Sequence, residues 1–310
     1  RDRYLSLEED KFQKIVCAYL AEYAVKYFGE EQLESNSFTY RLKTILDNVM
    51  YLMKHIMEEL SQSEFFVADC ELKIGEDIPS YTIVLPDGHK IAVCGSVDRV
   101  DIMQRADITY LRIIDYKTGT KQFKLSDILY GINLQMLLYL HSIEASGGDK
   151  YGEIVPAGIL YMPATVPYIS SDSLKSIDKL PDELNKKLKM NGLLLKDTEI
   201  IHGMDKTDVA TYIPVKIKAG EPVSSTSLAT LAEFGKIFKK VDMLIAEMGK
   251  NIYNGNIEAK PLKGGHDSCE YCPYDSVCAY RQSNPITCFS VDNKTVIEEI
   301  TNEINGKEEE

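Results

Sequence analysis

Apolar residues recur every three or four positions along the first sixty residues, then every second position along the next fifty. Over residues 7–28 the set Phe12, Ile15, Val16, Tyr19, Leu20, Tyr23 and Tyr27 predicts an amphipathic helix. A second helix is predicted from Ser37, as N-cap, to about residue 60, with Leu42, Ile45, Leu46, Val49, Leu52, Met53 and Ile56 as its buried stripe. Residues 66–74, 81–85, 90–100 and 110–116 then predict a meander of strands. Pro86-Asp87-Gly88 forms a hairpin turn in it, and the chain reverses again near residues 104–107. A helix capped by Ser126 is predicted to run to about residue 145 and stop at Gly147-Gly148, and residues 157–162 follow as a strand. Residues 163–226 are less regular, with a helix over 184–190 ended by Asn191-Gly192 and a strand over 209–217. A long amphipathic helix over 227–251 follows. A helix between two strands of one sheet makes the fold α/β, of the mixed α+β kind, with a mixed sheet.

Bulk properties narrow the class. A chain of 310 residues can bury a sizeable core, and its 44% apolar content is ordinary for a globular protein. No run of about 18 apolar residues marks a membrane span. The net charge of −13 argues against gripping nucleic acid through the overall field, though not against a local basic channel. Lys186, Lys187 and Lys189 could touch phosphates, and the simpler account is a solvated helix face. Acidic residues gather at the end of the chain, so residues 286–310 read as a solvated tail after a helical lead-in (1–64) and a core (65–285). The chain opens at Arg1 inside polar helical sequence, as expected of a fragment of a longer protein. Seven cysteines, three of them clustered, suit a reducing cytoplasm and a metal site better than disulfides.

Candidate chemistry lies where two predicted strands end. Gly95-Ser96-Val97-Asp98-Arg99-Val100-Asp101 follows one apolar run, and Ile114-Asp115-Tyr116-Lys117-Thr118-Gly119 ends the other. As neighbours in one sheet they would gather Asp98, Asp115 and Lys117, a costly arrangement unless a cation or a phosphate lies between them. Mg²⁺ suits such oxygen donors, with Asp98 and Asp115 as carboxylate ligands, the Tyr116 main-chain carbonyl as a third and Glu71 as an outer one. Lys117, two residues past Asp115, shares its strand face and could orient a water or stabilise developing charge. An isolated Asp-x-Lys carries no weight, because it is common in strand-end salt bridges. Lys117-Thr118-Gly119 also matches penicillin-recognising serine enzymes, but no Ser-x-x-Lys nucleophile precedes it. Gln135 and Tyr139, four apart, share a helix face. Cys269-x2-Cys272-x5-Cys278 supplies three thiolates suited to zinc or an iron–sulfur cluster, with Cys288 or His266 as candidate fourth ligands.

In this order, Gly95-x-x-Asp98, Asp115-x-Lys117, Gln135-x-x-x-Tyr139 and the late cysteine cluster resemble RecB-family nucleases. More narrowly, residues 129–136, 156–161 and 190–194 are similar to AddB-type subunits of bacterial AddAB helicase–nucleases. The resemblance implies a PD-(D/E)xK, restriction-endonuclease-like mixed sheet flanked by helices. It implies cleavage of DNA phosphodiesters with Mg²⁺, with Asp98 and Asp115 as ligands, Lys117 as the catalytic lysine and Gln135 and Tyr139 as the supporting pair. It further implies 5′-strand degradation beside an AddA-like helicase partner, Chi-regulated processing of double-strand ends for recombination, and a [4Fe-4S] cluster on Cys269, Cys272 and Cys278. Two features of the family are missing: a cluster cysteine in a Cys-Pro-Phe context and a metal-site histidine, both expected upstream of Arg1. The expectation is therefore an absent or incomplete cluster and weak metal binding here. The contrasting reading is a catalytically silent DNA-end-binding module. A stand-alone Cas4-like nuclease fits poorly with the long segment between Met162 and Ser227.

Overall fold

The computed structural model of the protein describes residues 9–119, 121–167, 169, 180–224, 226–278 and 285–308. The lead-in comprises α1 (Glu9–Phe28), the single turn α2 (Glu30–Leu33) and α3 (Asn36–Ser61). Strands β1 (Phe66–Ile74), β2 (Tyr81–Val84), β3 (Lys90–Val93), β4 (Gly95–Arg105) and β5 (Ile108–Lys117) follow. A 3₁₀ segment over Leu125–Tyr130, α4 (Gln135–Ser146), α5 (Gly148–Tyr151) and β6 (Glu153–Pro163) complete the crossover. Then come α6 (Leu180–Leu188), β7 (Asn191–Leu195), α7 (Thr198–Met204), β8 (Lys216–Lys218), β9 (Glu221–Val223) and β10 (Leu228–Ala229). The chain continues through α8 (Leu231–Tyr253), β11 (Leu262–Gly264), α9 (Asp275–Cys278), β12 (Ile286–Cys288) and α10 (Asn293–Glu308).

The main sheet has the order β1-β4-β5-β6-β7-β10. β4 lies antiparallel to β1 and β5, β6 runs parallel to β5, and β7 is antiparallel to β6. This is the mixed sheet that the patterning predicts, flanked by helices as the family resemblance implies. Side chains alternate across β4 and β5, so one face receives Asp98, Asp115 and Lys117 while the other receives Arg99, Asp101, Arg112 and Tyr116.

Five expectations need correction. The predicted stripe of α1 mostly faces outward, with Tyr19, Tyr23 and Tyr27 exposed and only Ala24 fully buried. The stripe of α3 is only half-buried, and its fully buried positions are the polar His55 and Glu59. The helix predicted from Ser126 is broken, because Gly131 (φ 67°) and Asn133 (φ 54°) adopt left-handed backbone, so α4 starts at Gln135. Asn191-Gly192 opens strand β7 opposite Tyr161 and Leu160 instead of ending a helix, and residues 209–215 are irregular.

A further correction concerns the acidic end. Residues 293–308 form a helix whose Val296, Ile300 and Ile304 are buried in the main core against α8 and the 3₁₀ segment. The four-residue spacing of these three makes an apolar stripe on an otherwise acidic helix. Lys240 of α8 pairs with Glu303 at 2.5 Å and ties the helix down further. The core therefore extends past residue 285.

Behind the strand ends lies a buried ionic quartet. Arg99 donates Nε to Asp101 Oδ1 at 2.7 Å and Nη2 to Asp101 Oδ2 at 2.7 Å and Glu59 Oε2 at 3.1 Å. Arg112 donates to Glu59 Oε1 at 2.6 Å and to Asp101 Oδ2 at 2.9 and 3.0 Å, and its guanidinium lies 5.0 Å from the Phe65 ring centroid. All four residues are at most 1% exposed, and the formal charges cancel. Burial pushes the Asp101 carboxyl up, but the two guanidinium groups outweigh it and hold the group below its ordinary range. We expect Glu59→Ala, which leaves two buried arginines facing one carboxylate, to lower unfolding stability by about 3 kcal/mol in urea titrations.

A second lock joins α4 to α8. His141 stacks on Phe238 (4.6 Å between centroids), and its Nε2 lies 3.2 Å from Asp242 Oδ2 and 3.2 Å from Tyr81 Oη. Burial lowers the imidazole's proton affinity, but Asp242 and Glu144 outweigh it and raise the pKa to about 9. The unfolded chain titrates near 6.5. The folded pKa is the higher one, so this contribution is fully present below pH 6.5 and is lost as pH rises through about 9. Thermal melts across that window should show the loss, and His141→Gln should flatten it.

Candidate active site

Continuing the β4–β5 register past Arg99↔Ile114 places Asp98 directly opposite Asp115. Both strands are central, which is why their ends can hold carboxylates at fixed spacing. Asp115 is 7% exposed and ion-paired with Lys117. The oxygen that the Lys117 ammonium engages is Oδ2, which is itself buried. Asp98 is half-buried, and its Oδ2 accepts the Tyr116 backbone N–H at 2.9 Å. That bond pins one carboxylate oxygen to the neighbouring strand and orients the group.

Tyr116 faces the other side of the sheet, where its hydroxyl accepts from Arg99 Nη1 at 3.4 Å. Burial raises the pKa of this phenol, so the contact is made by the neutral form. The buried quartet thus reaches through the sheet to the backbone unit that holds Asp98.

Gln135 and Tyr139 come together on α4, with Gln135 Nε2 3.4 Å from Tyr139 Oη. Tyr139 lies over Gly95 at the start of β4. A Cβ at position 95 would come within 2.6 Å of Tyr139 Cζ, so only glycine admits the ring there. The glycine of Gly95-x-x-Asp98 therefore serves helix-to-strand packing, and it sets the distance between the Gln135/Tyr139 pair and the acids.

The other predicted ligands are placed differently. Glu71 lies across the β1–β4 ladder from Asp98, with φ 55°, and its Oε2 accepts from Ser96 Oγ at 3.1 Å. Among the described residues no three His, Cys, Asp or Glu side chains converge as a ready metal cage, and that holds for Asp98, Asp115 and Glu71. The same is true of Cys269, Cys272 and Cys278: the first two are half-buried, the third is exposed, and all are unbonded thiols. The fourth-ligand candidates do not complete a set either. Cys288 is buried on β12 beside Gly264 of β11.

Sequence reasoning missed Lys121. Its Nζ lies 5.2 Å from the Tyr161 ring centroid, and Lys117 Nζ lies 5.6 Å from the same ring. Burial and then the Lys117 charge lower the Lys121 pKa. Burial also pushes the Tyr161 phenol up to about 12, reinforced by Asp115. Asn191 holds the Lys121 segment in place, accepting from Phe123 N at 2.7 Å and donating to Lys121 O at 3.2 Å. A second lysine so soon after Lys117 was the available signal.

The structure thus brings together a carboxylate pair, an ammonium paired to one of them and, on α4, a Gln/Tyr pair. A 38% identical relative from Thermoanaerobacter sp. (strain X514) matches over 77% of this chain and 21% of its own length. One from Alkaliphilus oremlandii is 36% identical over 85% of this chain and 24% of its own length. One from Alkaliphilus metalliredigens is 33% identical over 91% and 25%. Each bears the name of the B-type component of an ATP-dependent helicase/deoxyribonuclease, and the chain spans about a quarter of the length of these relatives. Residues 4–279 match the PD-(D/E)XK nuclease superfamily as a whole, and the chain belongs to that superfamily.

Proposed function

We propose that this chain is the Mg²⁺-dependent nuclease part of an AddB-type component of a helicase/deoxyribonuclease and hydrolyses DNA phosphodiester bonds. The observation that supports the reading best is the buried Asp115 directly opposite Asp98, with Lys117 paired to Asp115 Oδ2: two carboxylates against one ammonium leave a local negative charge that a hard cation neutralises. Asp98 and Asp115 would hold Mg²⁺, with the Tyr116 carbonyl as a third donor. Bound there, Mg²⁺ supplies a water of lowered pKa and shields phosphate charge.

The chain's own residues do the rest. The Tyr116 N–H keeps Asp98 Oδ2 engaged, so Oδ1 is the oxygen presented outward. Lys117, held by Asp115, keeps an ammonium where negative charge develops on the phosphoryl oxygens and can carry a proton to or from the attacking water. Gln135 and Tyr139 position the scissile nucleotide from α4. The finer reading follows the family resemblance: exonucleolytic degradation of the 5′-ended strand in the cytoplasm, beside an ATP-driven AddA-like partner, with Chi-regulated end processing for recombination. Measured as Mg²⁺-dependent release of acid-soluble label from single-stranded DNA by the full-length complex, Asp115→Ala and Lys117→Ala should each lose at least about a hundredfold in rate. Digestion at the wild-type rate by either variant would sink the assignment, and binding without any cleavage by wild type would leave a silent end-binding module.

The cysteine cluster is proposed to supply three thiolates to a [4Fe-4S] cluster, since soft sulfur donors within ten residues suit iron. Among the described residues the three thiols do not converge by themselves. Iron and acid-labile sulfide in the full-length complex should fall together in Cys272→Ser. Equal contents in variant and wild type would remove these cysteines from the cluster.

A further inference from the structure

A cavity of about 1030 Å³ opens between β7–β10, the β8–β9 hairpin and α10. Its floor is apolar, with Met190, Val215, Leu228 and Ile297 among its lining residues. Among the described residues its rim carries Lys186, Lys189, Lys196, Lys216, Lys218 and Lys294, against the single acid Glu233. In the whole chain acids outnumber lysines and arginines 48 to 35, so six lysines against one acid is a local reversal of the molecule's charge.

Glu233 does not neutralise the rim. Its carboxylate accepts from Thr230 N at 2.6 Å and from Thr230 Oγ1 at 2.9 Å, closing the capping box of α8. Three rim lysines are held by their own surroundings: Lys186 by Glu183 at 2.6 Å, Lys189 by the Ala210 and Val215 carbonyls at 2.7 and 3.1 Å, and Lys294 by Glu298 at 3.7 Å. The other three, Lys196, Lys216 and Lys218, are exposed and make no side-chain hydrogen bond or ion pair among the described residues. Glu221 lies across the β8–β9 ladder from Lys218, but its carboxylate accepts from Thr198 Oγ1 at 2.6 Å and forms no ion pair with that lysine, so all three ammonium groups are open to an anionic ligand.

The cavity also adjoins the candidate active site. Met190 and Leu125 line it, and they flank the stretch in which Asn191 clasps the Lys121–Phe123 backbone. On the other side of that clasp stands Tyr161, with Lys117 and Lys121 over its ring. A polyanion leaving the Asp98/Asp115 centre by way of Lys121 would arrive at the lysine rim. Sugars suit the apolar floor and phosphates the ammonium groups, and among the described residues no aromatic side chain lines the groove to stack a base, so contact would be insensitive to sequence.

We propose that this groove is a binding site for the sugar–phosphate backbone of a single DNA strand, with Lys196, Lys216 and Lys218 as its unpaired phosphate contacts. The proposal rests on the nuclease reading and extends it to the path the strand takes beside the active site.

The test uses fluorescence anisotropy of a labelled oligothymidylate with the 310-residue chain in EDTA, so that binding is read without cleavage. The triple variant Lys196→Gln/Lys216→Gln/Lys218→Gln should bind at least about tenfold more weakly at low salt. Its log K against log salt slope should be shallower by about 2, which is three lost phosphate contacts at about 0.7 each for a single strand. The matching Lys→Arg triple should keep both affinity and slope. Wild-type affinity and slope in the Gln triple would overturn the proposal, as would displacement of the oligothymidylate by oligoglutamate at equal concentration, which would make the groove an acidic-peptide site. Loss of binding in the Gln triple while wild type fails to cleave with Mg²⁺ would retain the groove and reject only the nuclease reading.

Discussion

The arrangement of the candidate site depends on four charges that never touch a substrate. Glu59, Arg99, Asp101 and Arg112 neutralise one another inside the protein, on the face of β4 and β5 opposite the acids. Replacing such a set with apolar side chains is often neutral for stability, so stability alone does not explain it. What it provides is register. The side-chain period of a strand is two, so sliding β4 by one residue would turn Arg99 and Asp101 to the catalytic face and bring Asp98 into the core. That slip strands Glu59 and Arg112 as buried unpaired charges, at a cost of several kcal/mol. The quartet thus discriminates strongly against the one error that would destroy the Asp98–Asp115 juxtaposition. We treat register control as the hypothesis that best accounts for its burial.

The same logic shows what the sequence made legible. Strands β1, β4, β5 and β6 stand out because their apolar runs are long, and Asp98, Asp115 and Lys117 follow from where those runs end. Gln135 and Tyr139 are legible as a pair because helical spacing is local. The quartet was not, although its residues lie in plain view: Arg99 and Asp101 sit inside the motif read for Asp98, and Arg112 interrupts the apolar run Leu111–Ile114. A charge in the middle of a buried strand demands a partner, but that partner, Glu59, comes from a helix 40 residues upstream of Arg99, and no periodicity reports such a pairing. The surprise in α3 has the same origin. Glu59 is polar because the sheet beneath it presents Arg99 and Arg112, and His55 packs beside the Tyr212 ring.

Two other misreadings come from backbone and composition. Gly131 and Asn133 break a helix that the apolar pattern carries straight through, because left-handed residues cost the pattern nothing. The acidic C-terminal segment hides a core helix, since composition averages over faces whereas burial selects one. Val296, Ile300 and Ile304 are enough to dock a helix whose other faces are charged and solvated.

Averaging also obscures the electrostatics of the whole chain. A net charge of −13 describes the protein as seen from afar, but at physiological ionic strength charges separated by more than about 8 Å are largely screened from one another. A strand within the lysine-rimmed groove would be governed by the six ammonium groups lining it, not by acids on distant helices. The general acidity then has its own consequence, repelling nucleic acid from every surface except those that reverse the sign locally. Among the described residues the sign reverses along the groove rim, across the clasp of Asn191 from Lys117 and Lys121. An acidic protein with a local basic groove is better suited to guiding a polyanion along that groove than a uniformly basic one, because misplaced contacts are penalised as well as unrewarded.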